Sequence, residues 1–100
     1  MFEVQYLPIA QTDLLDIVDY MTLRLYAPIA ASDFVRALDK TVETICAQPY
    51  FFPLYHGQRM LHSEVRFVPV KNYVLYYVVK ENVVEVQRII FGKRNRENMI

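Results

Sequence analysis

The sequence predicts an α+β fold of element order β-α-α-β-β-β, an antiparallel helical hairpin packed on one face of a small twisted, mainly antiparallel sheet. Three observations lead there. Residues 8–48 hold two amphipathic stretches of helical period, parted only around Tyr26-Ala27-Pro28. Residues 64–92 hold three stretches rich in valine, isoleucine and aromatics, separated by short turns. A short alternating segment precedes them all.

Taken in order, Phe2, Val4 and Tyr6 alternate with Glu3, Gln5 and Leu7, which suits a first strand within residues 1–7. Pro8 then opens a helix, because its missing N–H would be unsatisfied there anyway. Leu14, Ile17, Val18, Met21 and Leu25 recur at helical spacing, with Asp13, Asp16 and Asp19 mainly on the other side, so helix one is expected over about 8–25. Pro28 opens helix two, whose apolar stripe is Phe34, Leu38, Val42 and Ile45 and which ends near Gln48, just before Pro49. Two helices joined by so few residues fold back as a hairpin. Residues 49–63, with two prolines and the first glycine, read as a loop. Strands follow at Glu64–Val70, Tyr73–Lys80 and Val83–Phe91, and their connections at Lys71-Asn72 and Glu81-Asn82 are too short for a parallel crossover. Residues 93–100 form a tail.

A chain of 100 residues that is 54% hydrophobic with only two glycines suits a single packed domain rather than a disordered segment. One cysteine, Cys46, excludes an internal disulfide and suits a reducing, cytoplasmic setting. The opening MFEVQYLPIAQTDLLD lacks a basic stretch, so no secretory signal is expected, and no apolar run nears the ~20 residues that span a bilayer. No membrane partner is expected.

Net charge is zero but unevenly placed. Residues 1–58 carry three basic against seven acidic groups, a balance of −4, and residues 59–100 carry eight against four, a balance of +4. A basic half can meet an acidic partner, yet a sequence pI near 6.7 argues against a dedicated nucleic-acid binder.

The order of elements, together with AQPYFFPLY (Ala47–Tyr55), VRFVPVKNYVLYYVV (Val65–Val79) and VEVQRIIFGKRNREN (Val84–Asn98), resembles the RelE/ParE superfamily of bacterial toxins, in its ParE-like, plasmid-stabilisation branch. These are the toxic halves of type II toxin–antitoxin pairs. The positions that carry the likeness are Arg66, Val70, Tyr73, Tyr76 or Tyr77, Arg88, Gly92 and Arg94. It extends over essentially the whole chain, and it is the order and spacing of the pieces, not any one of them, that is specific.

That resemblance frames the candidate site residues. Ribonuclease relatives cut messenger RNA on the ribosome, which needs a base, a general acid and cations for the phosphate. Arg66 and Arg88 suit the phosphate because a guanidinium binds it bidentately, and Lys93 and Arg94 would complete a cationic site. Arg88 falls in phase with Val84, Val86 and Ile90, so the competing reading is a structural arginine satisfied by a carboxylate or by carbonyls on a partly buried face. Glu64, Lys93 and Glu97 could move protons, but no histidine or tyrosine follows Tyr77, so the acid/base set is incomplete. His56 and His62 lack companions at metal-ligand spacing and read as loop residues; Cys46 reads as a small buried hydrophobe. Neither a metal nor a cofactor is called for.

Aromatics gather in the loop (Tyr50, Phe51, Phe52, Tyr55) and in the central strand (Tyr73, Tyr76, Tyr77). Tyr76 and Tyr77 must point to opposite faces, so at least one packs under the helices, and the loop set is the better contact surface. The resemblance then implies a toxin that acts by binding a target such as DNA gyrase and is neutralised by a cognate antitoxin with an acidic toxin-binding segment. Arg59, Arg66, Arg88, Lys93, Arg94 and Arg96 are the candidate contacts, and an open sheet edge could accept an antitoxin strand. The alternatives are a ribosome-dependent endoribonuclease built on Arg66, Arg88, Lys93 and Arg94, with the ribosome and mRNA as partners, and a degenerate antitoxin-binding member.

Overall fold

The computed structural model describes residues 1–56 and 64–92. Arg59 and His62, and the tail residues Lys93, Arg94, Arg96 and Glu97, therefore lie outside the described residues. Strand β1 (Glu3–Tyr6) leads into helix α1 (Pro8–Asp19), a π-helical turn (Tyr20–Arg24) and helix α2 (Pro28–Ala47). Strands β2 (Val65–Val70), β3 (Tyr73–Lys80) and β4 (Val83–Phe91) complete the order.

Both helices start on the prolines the sequence marked, Pro8 and Pro28. The end of the first helix differs from expectation. Its α-helical part stops at Asp19, and the next turn is wider, with the Leu25 N–H donating to the Tyr20 carbonyl at 3.0 Å. Such an i→i+5 turn holds one residue more than an α-turn and shifts the helical phase. Leu25, expected on the buried stripe, is consequently 53% exposed. Pro28 keeps Ala27 out of helical geometry, and Tyr26 turns the chain with φ at 52°. In α2 the stripe is as expected: Phe34, Leu38, Val42 and Ile45 are all buried.

The four strands lie in the order β1-β4-β3-β2. The β2–β3 and β3–β4 pairs are antiparallel, and β1 joins β4 in parallel, Glu3 opposite Val83 and Tyr6 opposite Val86. A parallel pair requires a long connection between its strands, and the helices are part of it. Residues that face the helices form the main core: Phe34, Leu38, Val42 and Ile45 meet Val68, Leu75, Tyr77, Val84, Val86 and Ile89. The other face carries a smaller cluster of Val65, Val74, Tyr76 and Val78, with Tyr55, Phe67 and Ile90 against it. Tyr76 and Tyr77 thus part to opposite faces, and Tyr77 is the one beneath the helices.

One expectation of phase fails on β4. Tyr77 pairs with Val86 but Tyr76 pairs with Arg88, so Gln87 is the extra residue of a β-bulge. Beyond the bulge the alternation is offset by one. Val84, Val86 and Ile89 share the helix-facing core, whereas Ile90 packs against the opposite cluster. Arg88 is therefore not in phase with Val84 and Val86; it sits at the irregularity itself.

The loop after α2 is tied to the sheet. Phe67 N–H donates to the Pro53 carbonyl at 3.2 Å, Tyr55 N–H donates to the Val65 carbonyl, and Leu54 bridges to Arg66. Pro53–Tyr55 thereby runs along the outer edge of β2. Among the described residues β1 has strand neighbours on one side only, so the sheet's open edge is on its Val4 side. No helix among the described residues is long and apolar enough to cross a membrane.

Candidate binding surface

Asp13 clamps α1 to β4. Arg88 Nε donates to Asp13 Oδ2 at 2.8 Å, Arg88 Nη2 donates to Oδ1 at 3.0 Å, and the Ile89 N–H donates to Oδ2 at 3.0 Å. Asp13 therefore faces the sheet, not the solvent side on which the helical pattern placed it. The bulge makes this possible by turning Arg88 out of strict alternation beside α1. The hydrogen bonds to Asp13 raise the Arg88 pKa; burial opposes them, and the carboxylate's charge adds to the rise. A bidentate carboxylate already occupies the guanidinium edge that would otherwise take a phosphate.

Arg66 is engaged differently. Its Nη1 donates to the Phe52 carbonyl at 2.7 Å and to the Tyr50 carbonyl at 3.3 Å, and its guanidinium lies 5.3 Å from the Tyr50 ring centroid. Beside it in register, the Tyr77 hydroxyl donates to the Pro49 carbonyl at 2.7 Å. Two side chains of the sheet therefore hold the same loop by its carbonyls. Burial pushes the Tyr77 hydroxyl up to about 12, against the opposing charge of Arg66.

That shift gives a pH prediction. An unfolded tyrosine ionises near 10.0, whereas Tyr77 in the fold keeps its proton to about 12. The folded state thus binds more protons at high pH, so this group's contribution is full below pH 10 and is lost as pH rises from about 10 to about 12. Tyr6 and Tyr73 are also raised, chiefly by burial, and so contribute in the same direction. Urea titrations from pH 8 to 11.5 should show falling stability above pH 10, and the Tyr77→Phe variant should show a shallower fall.

Beside Arg66 opens a cavity of about 300 Å³ lined by Tyr50, Glu64, Arg66, Val78, Val79 and Lys80. Its lining carries two cations, Arg66 and Lys80, and one carboxylate, Glu64, and Lys80 Nζ pairs with Glu85 at 3.1 Å. Arg66 and Arg88 are held by separate networks on either side of β3, opposite Tyr77 and Tyr76 respectively. The remaining cationic candidates, Arg59, Lys93, Arg94 and Arg96, lie outside the described residues.

Of the loop aromatics, Tyr50 and Phe51 are exposed, while Phe52 and Tyr55 are partly covered. Cys46 is buried, and burial raises its thiol pKa, so it is a poor nucleophile. Among the described residues no group of histidine, cysteine and carboxylate side chains could hold a metal ion.

The helical hairpin carries surface that sequence reading left unassigned. A groove of about 420 Å³ between the helices is lined by Val18, Ala31, Ser32, Val35, Arg36 and Asp39. Leu15, Leu23, Tyr26 and Ile29 are all well exposed. The available signal was their position off the buried stripes: apolar residues that core packing does not absorb.

Comparison with known proteins adds the identity of the fold. Residues 4–96 match the family model described as the ParE toxin of the type II toxin–antitoxin system parDE. Among solved structures, the chromosomal ParDE toxin–antitoxin system from P. aeruginosa is similar, with a TM-score of 0.69 and 19% identity over 91% of this chain and 96% of that one. A search of curated proteins returned no match. The helical hairpin, the β1-β4-β3-β2 sheet and the family match over nearly the full length agree: the chain belongs to the ParE toxin family of type II toxin–antitoxin systems.

Proposed function

We propose that this chain inhibits growth by binding a cellular target of the DNA gyrase class, and that a cognate antitoxin with an acidic toxin-binding segment neutralises it. The family match over residues 4–96 carries the toxin reading. Binding rather than cleavage is supported by the two arginines proposed for a phosphate site. Arg88 is committed to Asp13, and Arg66 Nη1 is committed to the loop carbonyls. No histidine or tyrosine follows Tyr77 to serve as acid or base. The antitoxin reading is supported by the +4 balance of residues 59–100, which suits an acidic partner, and by the edge of β1, which has no strand on its outer side among the described residues and can accept one.

The test is to induce the chain alone in bacteria and follow growth, transcript integrity and gyrase supercoiling in the same cells. Growth arrest with intact transcripts and lost supercoiling is expected, with growth restored when the antitoxin is co-expressed. Cleaved transcripts with normal supercoiling would establish the endoribonuclease reading instead. Absence of arrest would establish a degenerate, antitoxin-binding member.

A further inference from the structure

The two edges of the sheet are treated differently. Pro53–Tyr55 runs along β2, with the Phe67 N–H donating to the Pro53 carbonyl and Leu54 bridging to Arg66. β1 has no such cover among the described residues, and Glu3, Val4 and Gln5 are all exposed. Edge strands are ordinarily guarded by lysine, proline or a bulge. Between Glu3 and Tyr6 there is none of these, and only the shortness of β1 and the charge of Glu3 guard it.

The bonds to β4 fix which backbone groups this edge offers. The Glu3 N–H donates to the Asn82 carbonyl and the Leu7 N–H to the Val86 carbonyl, both at 3.0 Å. Backbone groups alternate sides along a strand, so Glu3, Gln5 and Leu7 face β4 while Val4 and Tyr6 face outward. The Tyr6 carbonyl accepts from Gln11 Nε2 at 3.2 Å, and the Phe2 N–H donates to the Cys46 carbonyl at 3.1 Å. Among the described residues, the Val4 N–H and carbonyl and the Tyr6 N–H are left for an incoming strand.

We infer that two copies of this chain pair β1 to β1, antiparallel, about a two-fold axis at Val4, joining two four-stranded sheets into one. A two-fold interface must be complementary to itself, and this segment is. Val4 lies opposite the second copy's Val4 and exchanges N–H···O bonds with it. Glu3 lies opposite Gln5, a carboxylate facing an amide donor, and Phe2 lies opposite Tyr6, ring to ring. Only registers that oppose outward-facing residues build the ladder. Sliding by two residues one way sets Glu3 against Glu3, and the other way sets Glu3 against Leu7, so side-chain chemistry selects the register at Val4. Glu85, beside Gln5 on β4, is already bound by Lys80 and Gln87. Self-pairing does not depend on the antitoxin reading, which draws on the same edge; the two occupants exclude each other there. A pairing this short falls below the ~1,200 Å² of standard stable interfaces, so a dissociation constant of about 10–100 μM is expected.

Sedimentation equilibrium of the purified chain, from well below to well above that concentration, tests this with Val4→Pro and Gln5→Glu beside wild type. Val4→Pro removes an outward N–H that the fold leaves unused, a place where edge strands accept proline. Gln5→Glu sets a carboxylate against Glu3 at both ends of the pairing. Wild type should move from monomer to twice its mass, Val4→Pro should dimerise at least about tenfold more weakly, and Gln5→Glu should lose affinity that added salt partly restores. Thermal midpoints are recorded for each variant, and Gln5→Glu, at an exposed position, decides if Val4→Pro unfolds. A wild type that stays monomeric throughout, or a dimer that both folded variants leave unchanged, would overturn the inference. A monomeric wild type whose binding to the co-encoded antitoxin is lost in folded Val4→Pro would overturn it too, and would give the edge to an antitoxin strand.

Discussion

Tyr77→Ala is expected to destabilise the protein by about 3–5 kcal/mol, the largest effect of any single change considered. Tyr77 is fully buried at the centre of the helix-facing core, between β2 and β4. Alanine there leaves a cavity that the surrounding Val86, Arg66 and the helices can only partly close, and it strands the Pro49 carbonyl without its donor. Tyr77→Phe separates the two terms. It keeps the ring and loses only the hydroxyl, so the expected cost is about 1–2 kcal/mol, that of a buried acceptor left unsatisfied. Urea unfolding would check both, read as a shift in midpoint at constant slope. Equal losses in the two variants would show that the hydrogen bond, not the packing, dominates this position.

Asp13→Ala is expected to cost about 2–3 kcal/mol. One carboxylate accepts three hydrogen bonds that join helix to strand, and its removal leaves Arg88 and the Ile89 N–H without that acceptor. The Arg88 side chain is 37% exposed, so water partly replaces the lost partner and the cost stays below that of a fully buried pair. Asp13→Asn keeps one acceptor oxygen and should lose roughly half as much. Hydrogen exchange at Ile89 offers a local readout: its amide should lose protection in the alanine variant before the rest of β4 does. An unchanged Ile89 amide would mean that β4 holds itself in register without the clamp.

These two residues illustrate how differently the sequence exposes its own design. Element types and order were legible because they rest on local period and on turn chemistry. The stripe Phe34, Leu38, Val42 and Ile45 marks α2, and Lys71-Asn72 and Glu81-Asn82 mark turns too short for anything but antiparallel hairpins. The opposed faces of Tyr76 and Tyr77 follow from the same period of two.

What escaped was every feature in which one residue more or less changes the phase. The π-helical turn put Leu25 in water, and the bulge at Gln87 took Arg88 out of step with Val84 and Val86. Asp13, read as solvent-facing from its helix alone, turned inward because a cation 75 residues away waited there. The loop at Pro49–Tyr55 was legible as a loop, but not that its carbonyls are held by Arg66 and the Tyr77 hydroxyl.

The sequence by itself determined the β-α-α-β-β-β order, the core stripes and the likeness to the ParE toxins, because each is written in contiguous residues. Only the tertiary structure decided the parallel placement of β1 beside β4, the covering of the β2 edge and the partners of Arg66 and Arg88. A charged side chain takes its role from whichever acceptor the fold brings within about 3 Å. For these two arginines the acceptors come from α1 and from the loop after α2, far off in sequence.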